Sequence, residues 1–212
     1  MHFSNRRTAG SQLAEMLHKY ARQNAVVVAI PRGGVVVGHE IAQQLGLVLD
    51  IVLTKKIGAP TNPEFAVGSI DSQGNAILDE QVLQQLGISP EGMEEEITRL
   101  QALLEKKYRL LRGDHPIIDI EDKTVILVDD GIATGKTMQA AIRSVRAHGA
   151  SYVVLAVPVA PEPLVHELNE MVDEVQVLYT PALFASVSQF YDNFEQISDD
   201  EVRELLDSPS VV

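Results

Sequence analysis

Residues Val125–Thr137 read VILVDDGIATGKT. Val125 to Val128 are four apolar residues in a row, a run suited to a strand buried on both faces. Asp129 and Asp130 stand where that strand ends, and a loop of small and hydroxylated residues carries the chain on to Thr137. Beyond it, Met138, Ala141, Ile142 and Val145 fall on one helical stripe, with Gly149 as the stop. Strand, acidic pair, small-residue loop and helix together make the layout of a phosphate site. Backbone N–H groups at the open end of the helix face the anion, and the helix dipole favours negative charge there.

The ending ATGKT invites a nucleotide P-loop, but the spacing rejects it. That motif needs four residues between its first glycine and the Gly-Lys-Thr. Here only Ile132, Ala133 and Thr134 separate Gly131 from Gly135, and Asp130 stands where the glycine should be. Paired carboxylates would repel a triphosphate. They suit the vicinal hydroxyls of a ribose, so with a phosphate cradle beside them the implied ligand is a ribose 5-phosphate.

This segment resembles the signature of the type I phosphoribosyltransferases, which use 5-phosphoribosyl-1-pyrophosphate (PRPP): four hydrophobic residues, two acids, then a small-residue loop ending in Thr. The match runs the whole length of Val125–Thr137. The competing view is an ordinary strand–turn–helix with solvated acids at the turn.

With 212 residues, 45% of them hydrophobic, and no cysteine, the chain suits one α/β domain over residues 1–212 without disulfides or thiolate metal sites. No apolar run approaches a membrane span, and MHFSNRRTAG lacks the apolar core of a signal peptide. These features fit a cytoplasmic setting. A net charge of −13 argues against nucleic-acid binding.

Ser11 to Gln23 reads as a helix preceded by Arg6 and Arg7, which are expected to be solvated, and Ala25–Ile30 as a buried strand. Pro31-Arg32-Gly33-Gly34 follows, opening a helix that stops at Gly46. Two glycines at a strand-to-helix turn permit close backbone approach, and an Arg supplies a fork for phosphate. Leu47–Thr54 reads as the next strand, delivering Lys55 and Lys56 at its end; the sequence leaves open which of them faces a ligand. Gly58–Glu64 reads as a loop, and Phe65–Ile70 with Asn75–Leu78 as a hairpin. Glu91–Arg112 reads as one helix, a packed lid or dimerisation element in preference to one placing Lys106, Lys107 or Arg109 on a ligand. Tyr152–Val157 and Glu174–Tyr179 complete a doubly wound, mainly parallel sheet, with a short helix over Leu164–Met171 between them. The tail from Thr180 concentrates aromatics and ends in a helix over Asp199–Leu206, capped by Ser198.

The resemblance implies more. A hairpin and helical insertion occupies about residues 57–115, and a hood from the termini includes about 180–212. Pro31–Gly34 corresponds to the family's pyrophosphate loop, which often carries a strained or cis peptide. Arg32, the Gly33 and Gly34 amides and Lys55 or Lys56 would face pyrophosphate, while Ala133, Thr134, Gly135, Lys136 and Thr137 would hold the 5-phosphate. Asp129 and Asp130 would take the ribose hydroxyls and, through water and PRPP, Mg²⁺. Phe184, Phe190 and Tyr191 become candidates for contacts with a nitrogenous acceptor, and a homodimer is expected. The 6-oxopurine enzymes carry an Asp where this chain has Ala133, so the loop looks nearer to the adenine type. The insertion and the aromatic tail look more like bacterial phosphoribosyltransferases of unassigned acceptor. The alternative is a non-catalytic PRPP sensor on the same fold.

Overall fold

The computed structural model describes residues 2–113 and 117–208. The outer ends of the expected insertion (114–115) and tail (209–212), and residue 1, lie outside the described residues. The two apolar runs that precede the candidate loops, β1 (Ala25–Ala29) and β6 (Thr124–Val128), pair directly and in parallel, Ala29 opposite Val128. They form the middle of a five-stranded parallel sheet in the order β2 (Val48–Ile51), β1, β6, β7 (Tyr152–Val159), β8 (Glu174–Tyr179). Alternate residues of β1 and β6 face opposite helical layers. Val26, Val28, Val125 and Leu127 pack with Met138, Ala141, Ile142 and Val145 of α5 (Lys136–Ala147) and with Leu164 and Leu168 of α6 (Glu162–Asn169). Val27, Ile126 and Val128 pack with Leu13 of α1 (Arg6–Met16) and with Val37, Ile41 and Leu45 of α2 (Gly33–Leu45). Burial on both faces explains why these strands are unbroken apolar runs.

This is the doubly wound sheet the sequence implies. From β1 the chain crosses through α2 to β2, whereas from β6 it crosses through α5 to β7 on the other side. The strand order therefore reverses between β1 and β6, and a crevice opens beyond their C-terminal ends. Pro31–Gly34 and Asp129–Thr137 both emerge there.

The insertion departs from the sequence reading. The run Leu47–Thr54 is not one strand: β2 stops at Ile51, and the chain turns into a second, antiparallel sheet of β3 (Thr54–Ala59), β4 (Asn62–Asp71) and β5 (Ala76–Leu78). Lys55 and Lys56 therefore sit on β3 rather than at the end of a core strand. Most of the expected Gly58–Glu64 loop is strand, because Ala59 pairs with Asn62 and only Pro60 and Thr61 turn. A Cβ on Gly58 would lie 2.3 Å from the Pro63 carbonyl oxygen, so this tight hairpin requires glycine there. The β4–β5 hairpin forms as read, with Ile70 opposite Ala76.

Two helices follow. α3 (Glu80–Leu86) is unanticipated; Asp79 caps it by accepting from the Val82 amide at 3.0 Å, and Gly87 ends it. α4 (Glu94–Arg112) follows a 3₁₀ turn at Pro90–Met93, so the helix starts later than Glu91. Its stripe of Leu100, Leu104, Tyr108 and Leu111 is buried against the second sheet and against Val202 of α7 (Asp199–Asp207). Lys106, Lys107 and Arg109 stay exposed, in keeping with a packed element.

The C-terminal end of α4 is fastened by a buried ion pair. Arg112 Nε donates to Asp50 Oδ1 at 2.8 Å and Nη2 donates to Oδ2 at 3.0 Å, with the Tyr108 ring 5.5 Å from the guanidinium. Burial pushes the Asp50 carboxyl upward and Arg112 opposes it. Asp50→Ala strands the cation away from water, so urea denaturation is expected to show a loss of about 3–5 kcal/mol. A change within about 0.5 kcal/mol would place the pair among the energetically neutral ones.

Candidate active site

The switch-point crevice brings the two candidate loops into contact. The Ile30 amide donates to the Val128 carbonyl at 2.9 Å, which aligns the strand ends. The Pro31–Arg32 peptide bond is cis. α2 starts at once with Gly33 and Gly34, and these glycines lie against the acidic pair. A Cβ on Gly33 would fall 1.8 Å from Asp130 Oδ2; one on Gly34 would fall 2.9 Å from Asp129 Cα and 3.0 Å from its Oδ1. The absence of side chains at both positions leaves room for the two carboxylates.

The second loop is equally constrained. The Ile132 amide donates to the Val159 carbonyl at 2.9 Å, and Gly135 turns at φ +75°, with Leu164 Cδ1 2.5 Å from where a Cβ would stand. Ala133, Thr134, Lys136 and Thr137 are exposed, and no side chain caps the first turn of α5. Its N–H groups therefore face the crevice as donors for an anion.

Both aspartates are largely buried, the Asp130 side chain being 14% exposed. Burial pushes Asp129 well above the ordinary carboxylate range and the neighbouring charge of Asp130 adds to this, while the Asp130 amide, donating to Asp129 Oδ1 at 2.8 Å, works against it. Asp130 is also raised by burial, but Arg6 opposes that rise through its charge and its hydrogen bond.

Arg6 is the residue the sequence reading missed. Expected to be solvated, it is buried, and its Nε donates to Asp130 Oδ2 at 2.6 Å. Its Nη1 donates to the Glu195 carbonyl at 2.8 Å, and its guanidinium stacks 3.7 Å from the Phe194 ring centroid. The misreading follows from the helix start. α1 begins at Arg6 and not Ser11, because Asn5 accepts from the Thr8 amide at 2.9 Å as an N-cap. That register puts Arg6 on the inward face with Ala9, Gly10, Leu13 and Ala14. The Asn5 cap was the available signal.

The tail closes over this corner. The Tyr191 hydroxyl donates to the Asp130 carbonyl at 2.6 Å, and Phe3 bridges to Tyr191 as a parallel partner. Phe190 and Tyr191 are buried in a cluster with Phe3 and Val159, with Phe184 packed against it. On the other flank, Arg32 Nη1 lies 3.6 Å from Asp199 Oδ1 of α7.

The remaining candidates line a cavity of about 550 Å³ between α5 and the β3–β4 pair. Its wall includes Lys55, Lys56, Ser69, Lys136, Thr137 and Arg143 but neither carboxylate of the acidic pair. Strand alternation separates the two lysines. Lys55 shares a face with Ile57, which is buried in the α4 cluster, and it adds a small pull to a Glu96 carboxyl lowered chiefly by Arg99. Lys56 takes the opposite face, with Nζ donating to Glu64 Oε2 at 2.7 Å.

The raised Asp129 carboxyl has a consequence for stability. A folded-state pKa above the unfolded value means that ionised Asp129 destabilises the fold at neutral pH, and the penalty fades as pH falls through the raised titration. Asp129→Asn keeps an acceptor for the Asp130 amide and removes the charge. Its Tm at pH 7 is expected to exceed the wild type's by a few degrees. The gap should narrow on acidification; a lower Tm for the variant at pH 7 contradicts this account.

Comparison with known proteins agrees with this geometry. Residues 5–178 match the model of the phosphoribosyl transferase domain family. Mycobacterium tuberculosis proteins of two strains, whose names assign them provisionally to the phosphoribosyl transferases, are 41% identical over 206 residues. That alignment takes in 97% of this chain but only 46% of theirs, so the chain spans about half the length of these relatives. The crystal structure of TT1426 from Thermus thermophilus superposes with a TM-score of 0.87 at 40% identity, covering 97% of this chain and 98% of that one. With residues 5–178 of its 212 matched by the family model and the crevice assembled at the switch point of its sheet, the chain belongs to the phosphoribosyl transferase domain family.

Proposed function

We propose that the chain transfers the 5-phosphoribosyl group of PRPP to a nitrogenous acceptor, with a nucleobase as the leading candidate, and releases pyrophosphate. The observation that carries this reading is the convergence of three features at the β1–β6 crevice: an uncapped helix start, two adjacent carboxylates and the Arg-Gly-Gly loop. The N–H groups of the Ala133–Thr137 loop and the Thr134 and Thr137 hydroxyls hold the 5-phosphate. Asp129 and Asp130 accept from the ribose hydroxyls. Arg32 and, of the two β3 lysines, Lys56, which strand alternation turns to the face opposite the buried Ile57, offset charge on the departing pyrophosphate. Breaking the anomeric C–O bond ahead of nucleophilic attack leaves an oxocarbenium-like ribose, so holding the sugar still is the main task of the protein.

The donor set also fits a magnesium ion. Carboxylate oxygens are the ligands Mg²⁺ prefers, and Arg6 holds only one of the four oxygens of the acidic pair. Among the described residues no three His, Asp or Glu side chains form a cage, so the pair would hold the ion together with oxygens of PRPP and water. When bound, the ion supplies positive charge against the pyrophosphate.

Calorimetric titration of PRPP with Mg²⁺ tests the reading. Wild type is expected to bind and the Asp129→Asn/Asp130→Asn double variant to lose binding; a folded wild type that binds no PRPP refutes the proposal. Pyrophosphate release on screening acceptors then separates an enzyme from a PRPP sensor. In the same titration Lys56→Gln is expected to weaken PRPP binding roughly tenfold, as for loss of a charge-assisted contact. Lys55→Gln should cost about threefold or less, as for an exposed charge. Equal losses would refute the assignment made from strand alternation.

A further inference from the structure

One guanidinium touches the acidic pair, the tail and the Arg-Gly-Gly loop. Arg6 comes from the N-terminal helix, its Nε binds Asp130 Oδ2 at 2.6 Å, and its Nη1 binds the Glu195 carbonyl at 2.8 Å. Its plane lies on Phe194, which in turn packs on Tyr191 at 5.1 Å between ring centroids. The Cβ position of Gly33 lies 2.8 Å from Arg6 Nε, so the Arg-Gly-Gly loop abuts it as well. The side chain of Arg6 is 9% exposed and that of Asp130 is 14% exposed. In such a setting neither charge can change partner without disturbing the other.

We propose that Arg6 is a positioning residue of the ribose site. It fixes the Asp130 carboxylate and seats the tail on it, so that ribose-phosphate binding and closure of the tail are one coupled equilibrium. This rests on the reading of Asp130 as a ribose ligand. Asp130 Oδ2 is committed to Arg6, so the proposal assigns the sugar hydroxyl to the other oxygen, Oδ1. The Tyr191 hydroxyl on the Asp130 carbonyl ties the same residue to the tail through its backbone. A ligand that holds Asp130 therefore also holds the surface on which the tail rests. An arginine meets these demands and a lysine does not: the planar fork reaches Asp130 and Glu195 together and stacks on Phe194, whereas an ammonium is a point charge.

The test measures PRPP affinity by calorimetry and amide hydrogen exchange of residues 187–197 in the same proteins. In the wild type, PRPP is expected to slow exchange in that segment. Arg6→Gln should weaken PRPP binding roughly tenfold or more, speed tail exchange and abolish its response to PRPP. Arg6→Lys, which keeps the charge on Asp130, should fall between the two in both readouts. Phe194→Leu leaves both charges in place and removes the ring that lies on Arg6 and against Tyr191; it is expected to loosen the tail and lower PRPP affinity about threefold. It also carries the test should Arg6→Gln fail to fold. Faster tail exchange with unchanged PRPP affinity, in Arg6→Gln or in Phe194→Leu, overturns the proposal and leaves Arg6 as a structural anchor. A wild type that binds no PRPP overturns the ribose-site reading and this inference with it, an outcome distinct from a wild type and variants that bind alike.

Discussion

Two carboxylates on adjacent residues at the end of a buried strand repel each other and lose hydration, and the structure around the crevice is arranged to make that tolerable. Asp129 receives the Asp130 amide, while Asp130 receives Arg6. Burial raises both carboxyls, opposed at Asp129 by the backbone donor and at Asp130 by Arg6. The need to pack both carboxylates also dictates the residues opposite. Gly33 and Gly34 carry no side chain because the space a Cβ would take is already filled by the acidic pair. The charge of Asp129 is the feature that a purely structural account does not explain, since an amide of the same shape would pack there without it.

Charge is also sorted on a larger scale. The chain carries 30 acidic against 17 basic residues, yet Lys55, Lys56, Lys136 and Arg143 line one cavity beside the start of α5. An anion approaching an acidic protein meets general repulsion, so the attraction must be local and close. The insertion makes this possible. It folds β3 and β4 against α5, so two lysines distant in sequence from Lys136 and Thr137 share a cavity wall with them. The Asp50–Arg112 pair and the apolar stripe of α4 hold that second sheet in place, which gives the long helix a role in the site without touching it.

What the sequence made legible was local. The central strands, the acidic pair and the stripe of α5 announce themselves through contiguous apolar runs and helical spacing, and they lie where expected. Less legible was the point at which β2 hands over to β3, because Val52 and Leu53 continue the same apolar run while the backbone changes sheets. Strand composition records burial, not the partner. Two prolines disguised β3–β4 as a loop, although Pro63 lies within β4 next to a register shift. Arg6 was the most consequential omission. A charged side chain reads as solvated unless its partner is known, and that partner lies 124 residues further along the chain. Nothing in local periodicity carries such a pairing, although the Asn5 cap fixed the face on which it would point.

The two ends of the chain thus become parts of the site instead of ornaments on it. The N-terminal segment reaches Asp130 through Arg6 and supports Tyr191 through Phe3, while the C-terminal tail answers with Tyr191, Phe194 and the Glu195 carbonyl. The tail then continues into α7, started by a capping box at Ser198 and Glu201, where Asp199 lies beside Arg32 and Val202 enters the α4 cluster. Asp199 Oδ1 is buried and, among the described residues, lacks a hydrogen-bond partner, with the Arg32 guanidinium 3.6 Å away. That contact is too long to satisfy the oxygen fully. Arg32, the acidic pair and the insertion each meet the tail, so the crevice is set by the closure of the chain on itself as much as by the sheet that supports it.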